Sequence, residues 1–299
     1  MDEYKEYLKN NEANLISSFS KIPMDLTDRQ YTTANHLENN KKNNFNNVLA
    51  SDETRVKLNR SNNDYINANY ILEGKYIATQ QPNTHTIADF WHMIYQTQSK
   101  MVINVNGDNN YLPLENKEVY DDITVNIISE SKKQNLEIRK LQLYRLPTLS
   151  TLLTGELPLI IYHVTFLRWK DFDVPKEEAF MRLLTMINII ETTKNNDRPI
   201  VIHCKAGIGR TGTFILIHYI YKQIQLGNYL NPIDTLRTMR KARLGMVQNK
   251  KQFCFALNII KNLPKKNKNP LSNSCGEIYT NHTIKKSCLS MSTNNIMRV

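Results

Sequence analysis

The stretch PIVIHCKAGIGRTGTF, from Pro199, constrains the fold more than any other part of the chain. An apolar run ends in His203 and Cys204, a turn follows with Gly207, Gly209 and Gly212, and an apolar-periodic segment begins near Arg210. That order is strand, tight loop, helix. Glycines let the backbone come close to a ligand, and a helix starting at the end of the loop adds exposed N–H groups and a positive dipole end, so the unit suits an anion. A Walker-type nucleotide loop is excluded, because no Lys-Ser/Thr pair follows the glycines. An isolated cysteine at a strand end is ordinarily packing. Here it shares the loop with three glycines, His203 and Arg210. Helix N-termini and nearby cations favour the thiolate, which is the nucleophilic form. Arg210 offers a planar fork for two oxygens of one anionic group. The chemistry implied is thiolate attack on phosphorus.

The rest of the chain reads as an α/β (α+β) domain around that unit, a twisted mixed sheet flanked by helices. Leu8, Leu15, Ile16 and Phe19 give a weak helical face, predicting an N-terminal helical segment over 1–20 that packs on a main domain of 21–264. NHLENNKKNNFNNVLASDETR, from Asn35, reads as polar surface loop. DYINANYIL and KYIATQ alternate like paired strands, and TIADFWHMIYQ has helical spacing. KMVINV, ITVNII, EIRKLQLYRL and LIIYHVTFLRW make a strand-rich middle, and helical patterns fill the last third on either side of the cysteine strand. From Lys265 the chain is polar and aperiodic, with six basic residues against Glu277 alone, which predicts a basic, disordered tail over 265–299.

The formal net charge of +11 suits anionic partners (phosphorylated substrates, nucleic acid, acidic lipid) and equally a scatter of solvated lysines. No aromatic–basic array supports nucleic acid, and acidic lipid has only the charge behind it. Cys204, Cys254, Cys275 and Cys288 form no CxxC pair and no His/Cys metal spacing, so the cysteines point to no metal site. So few thiols argue against a disulfide scaffold and for a reducing, cytoplasmic setting. MDEYKEYLKN is too charged for a signal peptide. No apolar run approaches the roughly 20 residues of a membrane span. The oligomeric state stays open.

HCKAGIGRTG, His203 to Gly212, resembles the HCxAGxGR(S/T)G signature of cysteine-dependent protein tyrosine phosphatases. NDYINANYI, YIATQQPNTHTIADFW, WKDFDVP (Trp169 to Pro175) and MVQNKKQF (Met246 to Phe253) resemble further family segments in the family's order, between about Asn43 and Phe255. The resemblance implies the phosphatase fold, phosphotyrosine-containing proteins as substrates and no metal or other cofactor. It implies that Cys204 is the nucleophile, that Arg210 and the amides of Lys205, Ala206, Gly207, Ile208 and Gly209 hold the phosphoryl oxygens, and that Thr211 hydrogen-bonds the sulfur. Asp171 matches the general acid, Gln248 the residue positioning the hydrolytic water, and Gln252 its support. Phe45 stands where an aromatic ring stacks on phosphotyrosine and sets pocket depth; the alternative is ordinary core.

Several positions depart from that pattern. Lys170 replaces a proline and Asp173 a glycine of the acid loop. Asn47 replaces the aspartate that grips the substrate's main chain, which should weaken peptide binding. NGDNN, between Val105 and Tyr111, is shorter than usual and lacks the glutamate that braces the arginine, so Arg210 is expected to be less firmly oriented. YLP replaces YWP. Lys205 follows the cysteine where serine is common, as in phosphoinositide phosphatases of the superfamily; its plain reading is a solvated rim lysine. These departures, with the Asn/Lys/Ile-rich composition, are similar to those of tyrosine phosphatases carried by parasitoid-wasp bracoviruses, which implies host signalling proteins and host-cell cytoplasm. The competing functions are a catalytically weak phosphotyrosine-binding trap, a phosphoinositide phosphatase and an RNA-end phosphatase.

Overall fold

The cysteine strand takes the middle of the sheet. The computed structural model describes residues 1–24, 29–60, 63–145, 157–194 and 197–264. Among them, nine strands form one sheet: β1 (Arg55–Lys57), β2 (Tyr65–Ile71), β3 (Tyr76–Gln80), β4 (Met101–Asn104), β5 (Lys117–Tyr120), β6 (Ile123–Lys133), β7 (Leu136–Arg145), β8 (Leu159–Phe166) and β9 (Ile200–Cys204). Their spatial order is β1-β2-β3-β9-β4-β8-β7-β6-β5. The four central strands β3, β9, β4 and β8 are parallel, and antiparallel hairpins extend the sheet on both sides. A central parallel strand is covered on both faces and therefore reads as an unbroken apolar run, as β9 does.

Helices α1 (Asp2–Asn10), α2 (Glu12–Lys21), α4 (Glu177–Lys194), α5 (Gly209–Leu226), α6 (Pro232–Ala242) and α7 (Lys250–Asn262) share one apolar core, while α3 (Ile87–Thr97) packs in a second. Side chains alternate across a strand. Ile200, Ile202 and Cys204 accordingly enter the core of the larger helical group, and Val201 enters that of α3. Parallel strands also end on the same side of a sheet. The segments after β3, β4, β8 and β9 therefore converge at one edge, where open α/β sheets build their sites.

Two expectations change. The weak N-terminal helical face is two helices that break at Asn11, and Phe19 of α2 stacks on Phe253 of α7 at 4.7 Å. The Asn-rich stretch from Asn35 is not a loose surface loop. Leu37–Lys42 form a 3-10 helix, and Asn39, Val48, Ala50 and Ser51 are buried. Its amides tie it to the sheet: Asn43 Oδ1 accepts from Tyr65 Oη at 2.6 Å and from Asn67 Nδ2 at 2.9 Å. β1 and β5, with little apolar alternation, were not expected. Among the described residues no helix is long and apolar enough to cross a membrane. The predicted tail over 265–299 lies outside the described residues.

Candidate active site

Cys204 is 3% exposed at the end of β9, and the loop after it is turned inside out relative to an ordinary connection. Its carbonyls are all taken by the scaffold. Lys205 O accepts from the Gln81 amide at 3.2 Å, Ala206 O and Gly207 O from Arg243 at 3.1 and 3.0 Å, and Ile208 O from the Gly212 amide at 2.9 Å. In a planar trans peptide the N–H points opposite to the C=O. The amides of Ala206, Gly207, Ile208 and Gly209 thus face the concave side, and α5 begins there at Gly209. Gly207 has φ +71°, and a Cβ on it would stand 2.2 Å from Thr79 O, so no larger residue fits this turn. Arg210 Nε and Thr211 Oγ1 are buried donors without a partner among the described residues, as a site for an anion with several acceptors requires.

Arg210 closes the cradle. Its Nη1 donates to Trp169 O at 2.7 Å, and its Nη2 to Asp171 Oδ1 at 2.7 Å and Asn106 Oδ1 at 2.9 Å. The expectation of a loosely oriented arginine is therefore changed: Asn106 supplies the brace from the short loop. Asn104 holds that loop in shape, its Oδ1 accepting the amides of Asn106 at 2.8 Å and Gly107 at 3.2 Å. Asp171 lies half exposed on the acid loop, against the buried guanidinium.

Gln248, on the turn before α7, and Gln252, in the first turn of α7, both reach the cysteine loop. A Cβ on Gly209 would lie 2.9 Å from Gln248 Oε1 and 3.1 Å from Gln252 Nε2. The turn is strained: Val247 has φ +56°, which is costly for a β-branched residue. It is held by the Val247 amide donating to Ile208 O at 3.2 Å and by Arg240 Nη2 donating to Val247 O at 2.8 Å. Asn249 caps α7, its Oδ1 accepting the Gln252 amide at 2.9 Å.

Beneath the cradle lie Arg243, Tyr111 and His163, to which the sequence reading gave no role. Arg243 is fully buried; besides the two loop carbonyls it binds Asn69 Oδ1 at 2.6 Å and Asn67 Oδ1 at 2.8 Å, alternate residues on one face of β2. Burial lowers its pKa to about 10, so it stays a cation at neutral pH. On the other face of β9, Tyr111 Oη bridges His203 Nε2 at 2.5 Å and His163 Nε2 at 2.6 Å. Burial pulls His203 down to about 3 and His163 well below its ordinary value, keeping both rings neutral. In the sequence Arg243 stands beside Arg240 and Lys241 in a basic stretch, which does not distinguish it from a surface charge.

Phe45 is half-buried and belongs to no core cluster, so the ordinary-core alternative does not hold. Its neighbour Asn44 donates its amide to Gln80 Oε1 at 2.9 Å and its Nδ2 to Gln81 O at 2.7 Å. Gln80 pairs in register with Cys204, which carries this segment to the rim of the cradle. Asn47 and Lys205 are exposed. Among the described residues no group of three or more His, Cys, Asp or Glu is placed to hold a metal ion.

The protein-tyrosine phosphatase family profile matches residues 39–262. The chain is 28% identical over 274 residues to tyrosine-protein phosphatase non-receptor type 20 of Rattus norvegicus, covering 87% of this chain and 63% of that protein. It is 31% identical over 254 residues to tyrosine-protein phosphatase non-receptor type 2 of Mus musculus, covering 80% of this chain and 61% of that one. It is also 28% identical over 274 residues to phosphatidylinositol phosphatase PTPRQ of Homo sapiens, covering 85% of this chain and 11% of that one. The chain thus spans less than two thirds of the length of each of these relatives.

Proposed function

The chain belongs to the protein-tyrosine phosphatase family, and from that premise we propose that it hydrolyses phosphotyrosine in proteins through a phosphocysteine intermediate. The observation that carries the reading is the loop after Cys204, whose outward carbonyls leave a ring of inward amides capped by Arg210. Cys204 attacks phosphorus in line, the P–O bond to tyrosine breaks, and the amides and Arg210 hold the equatorial oxygens as charge redistributes. A tyrosine oxygen has a solution pKa near 10, so it leaves poorly without a proton. Asp171 gives that proton, then takes one from the water that breaks the S–P bond and releases phosphate. Gln248 and Gln252 place that water, and Thr211 Oγ1 stabilises the departing sulfur. Phe45 stacks on the substrate ring, Asn47 meets its main chain, and Lys205 adds positive charge at the rim.

Phosphoinositide hydrolysis is the second reading. It rests on exposed Lys205 and on the resemblance to a relative named for that activity. The bracovirus resemblance adds host signalling proteins as the physiological class. Cytoplasmic location fits the two free cysteines among the described residues, Cys204 and Cys254.

Hydrolysis of a phosphotyrosine peptide, a phosphoserine peptide and a phosphoinositide by one preparation tests the reading. Turnover of the first alone is expected, abolished by Cys204→Ser while phosphotyrosine binding persists. Near wild-type turnover by Cys204→Ser would remove the thiolate mechanism. Binding without turnover by the wild-type chain would leave a phosphotyrosine trap.

A further inference from the structure

The acid loop is gripped from two sides. From the cradle, Arg210 holds Trp169 O and Asp171 Oδ1. From the other side, the start of α7 reaches across: Asn249 Nδ2 donates to Phe172 O at 3.0 Å, and Lys251 Nζ lies 2.5 Å from Asp173 Oδ1. The same Asp173 oxygen accepts the Val174 amide at 2.8 Å, and Asp173 O accepts from Trp169 Nε1 at 2.8 Å. The Trp169 ring is buried with Phe166, Phe180 and Phe255, so Asp173 stands on a fixed base although its carboxylate is exposed. Its carboxyl is held below the usual range chiefly by the Lys251 hydrogen bond, with the Val174 amide and Lys170 assisting.

We propose that Asp173 and Lys251 are a positioning pair that latches the acid loop to the start of α7, beside Gln248 and Gln252, holding Asp171 over the cradle. The proposal rests on the reading of Asp171 as proton donor. It gives the departure at Asp173 a role: a side chain where the family has none finds a partner on the neighbouring element. The latch joins the residue of the first chemical half-step to those of the second, so the loop that delivers the proton and the turn that places water move as one closed unit. Both members are solvent-accessible, at 40% for Asp173 and 62% for Lys251, so each effect is modest and salt-sensitive. Open–closed balances of active-site loops respond to shifts of this size, because a few-fold change in the closed population passes directly into turnover.

The test uses Lys251→Met, Asp173→Ala and the swapped pair Asp173→Lys/Lys251→Asp, assayed at saturating substrate. At low ionic strength each single variant is expected to lose about three- to fivefold in kcat on a phosphotyrosine peptide, with KM changing less. An aryl phosphate with a good leaving group, whose departure needs no proton, should lose less. Added salt should bring the wild-type kcat toward the variants, and the swap should recover most of the loss. Wild-type kcat in Lys251→Met at low salt, or equal losses on both leaving groups, would overturn the latch if Asp171→Asn still discriminates between them. A wild-type chain that turns over neither substrate would overturn the phosphatase reading and the latch with it.

Discussion

The loop from Cys204 to Arg210 and the loop from Trp169 to Pro175 meet at one guanidinium but are held by different forces. The first is buried and set by backbone: outward carbonyls, a glycine at φ +71° that tolerates no Cβ, and Arg243 locked beneath it by Asn67 and Asn69. The second keeps Asp171 and Phe172 exposed and is held by a few side-chain bonds from Arg210, Asn249 and Lys251. The contrast matches the work proposed for each. An anion cradle gains most from donors that need no reorganisation when charge develops. A proton donor that must admit substrate and then close over it gains from bonds weak enough to exchange with water. The comparison can be attacked from either side.

The largest effect is expected on the exposed loop. Removing the proton from Asp171 by Asp171→Asn should lower kcat on phosphotyrosine by about 10²–10⁴-fold, the usual range for general acid assistance. With a good leaving group the loss should shrink by at least tenfold, since that oxygen departs unprotonated. Steady-state assays on a leaving-group series measure it. A uniform loss across the series would mean that Asp171 serves only to orient Arg210, and the division of labour between the loops would fail.

The next effect belongs to the buried loop and is read by pH. His203 titrates at about 3 in the fold against 6.5 as a free side chain, because burial disfavours its cation. The folded value is the lower one, so the unfolded chain takes up protons first. The stability tied to its neutral form is complete above about pH 6.5 and falls as pH drops toward 3. By pH 5 the loss from His203 alone should be about 2 kcal/mol, and His163 adds to it in the same direction. The lowered carboxylates Asp52, Asp173, Glu137 and Glu191 act only below their ordinary values of 3.8, 3.8, 4.5 and 4.5, so the window between pH 6.5 and 5 belongs to His203, His163 and His92, whose burial likewise lowers it. Urea unfolding at pH 7.5, 6.5 and 5.5 reads the slope, and His203→Asn should flatten it. A flat wild-type profile would place neither His203 nor His163 in a dry site.

The same contrast explains what was legible in the sequence. The cradle could be read from residue types alone, because glycines, Cys204 and Arg210 are fixed by local geometry, and β9 announces a central strand through its unbroken apolar run. The Asn-rich stretch from Asn35 has the composition of a solvated loop, yet its amides find partners within the fold, Asn39 Oδ1 accepting from Asn63 Nδ2 and Asn43 Oδ1 from Tyr65 Oη. Arg243 stayed hidden for a related reason: a buried cation whose partners are backbone carbonyls and two asparagines leaves no charge pattern. The absence of a glutamate near Arg210 suggested a slack arginine. Geometry supplied Asn106 instead, from a loop whose fold depends on a side chain, Asn104, two residues away.

Asn106 gives the smallest and sharpest test of the comparison. Of the three acceptors on Arg210, two sit on the loop from Trp169 to Pro175 and would leave with it if it opened, while Asn106 alone lies on another element. It should therefore matter most before the acid loop closes, when substrate first meets the cradle. A hydrogen bond to a charged donor that water can partly replace is worth about 1 kcal/mol. Asn106→Ala should accordingly lower kcat/KM by about three- to tenfold, mainly through KM, with kcat at saturation near wild type because closure restores the other two bonds. Asn106→Asp keeps an acceptor in place and should recover part of the loss. If Asn106→Ala instead lowered kcat and left KM alone, Arg210 would depend on Asn106 even in the closed state, and the acid loop would not be the part that orients it during the chemical step.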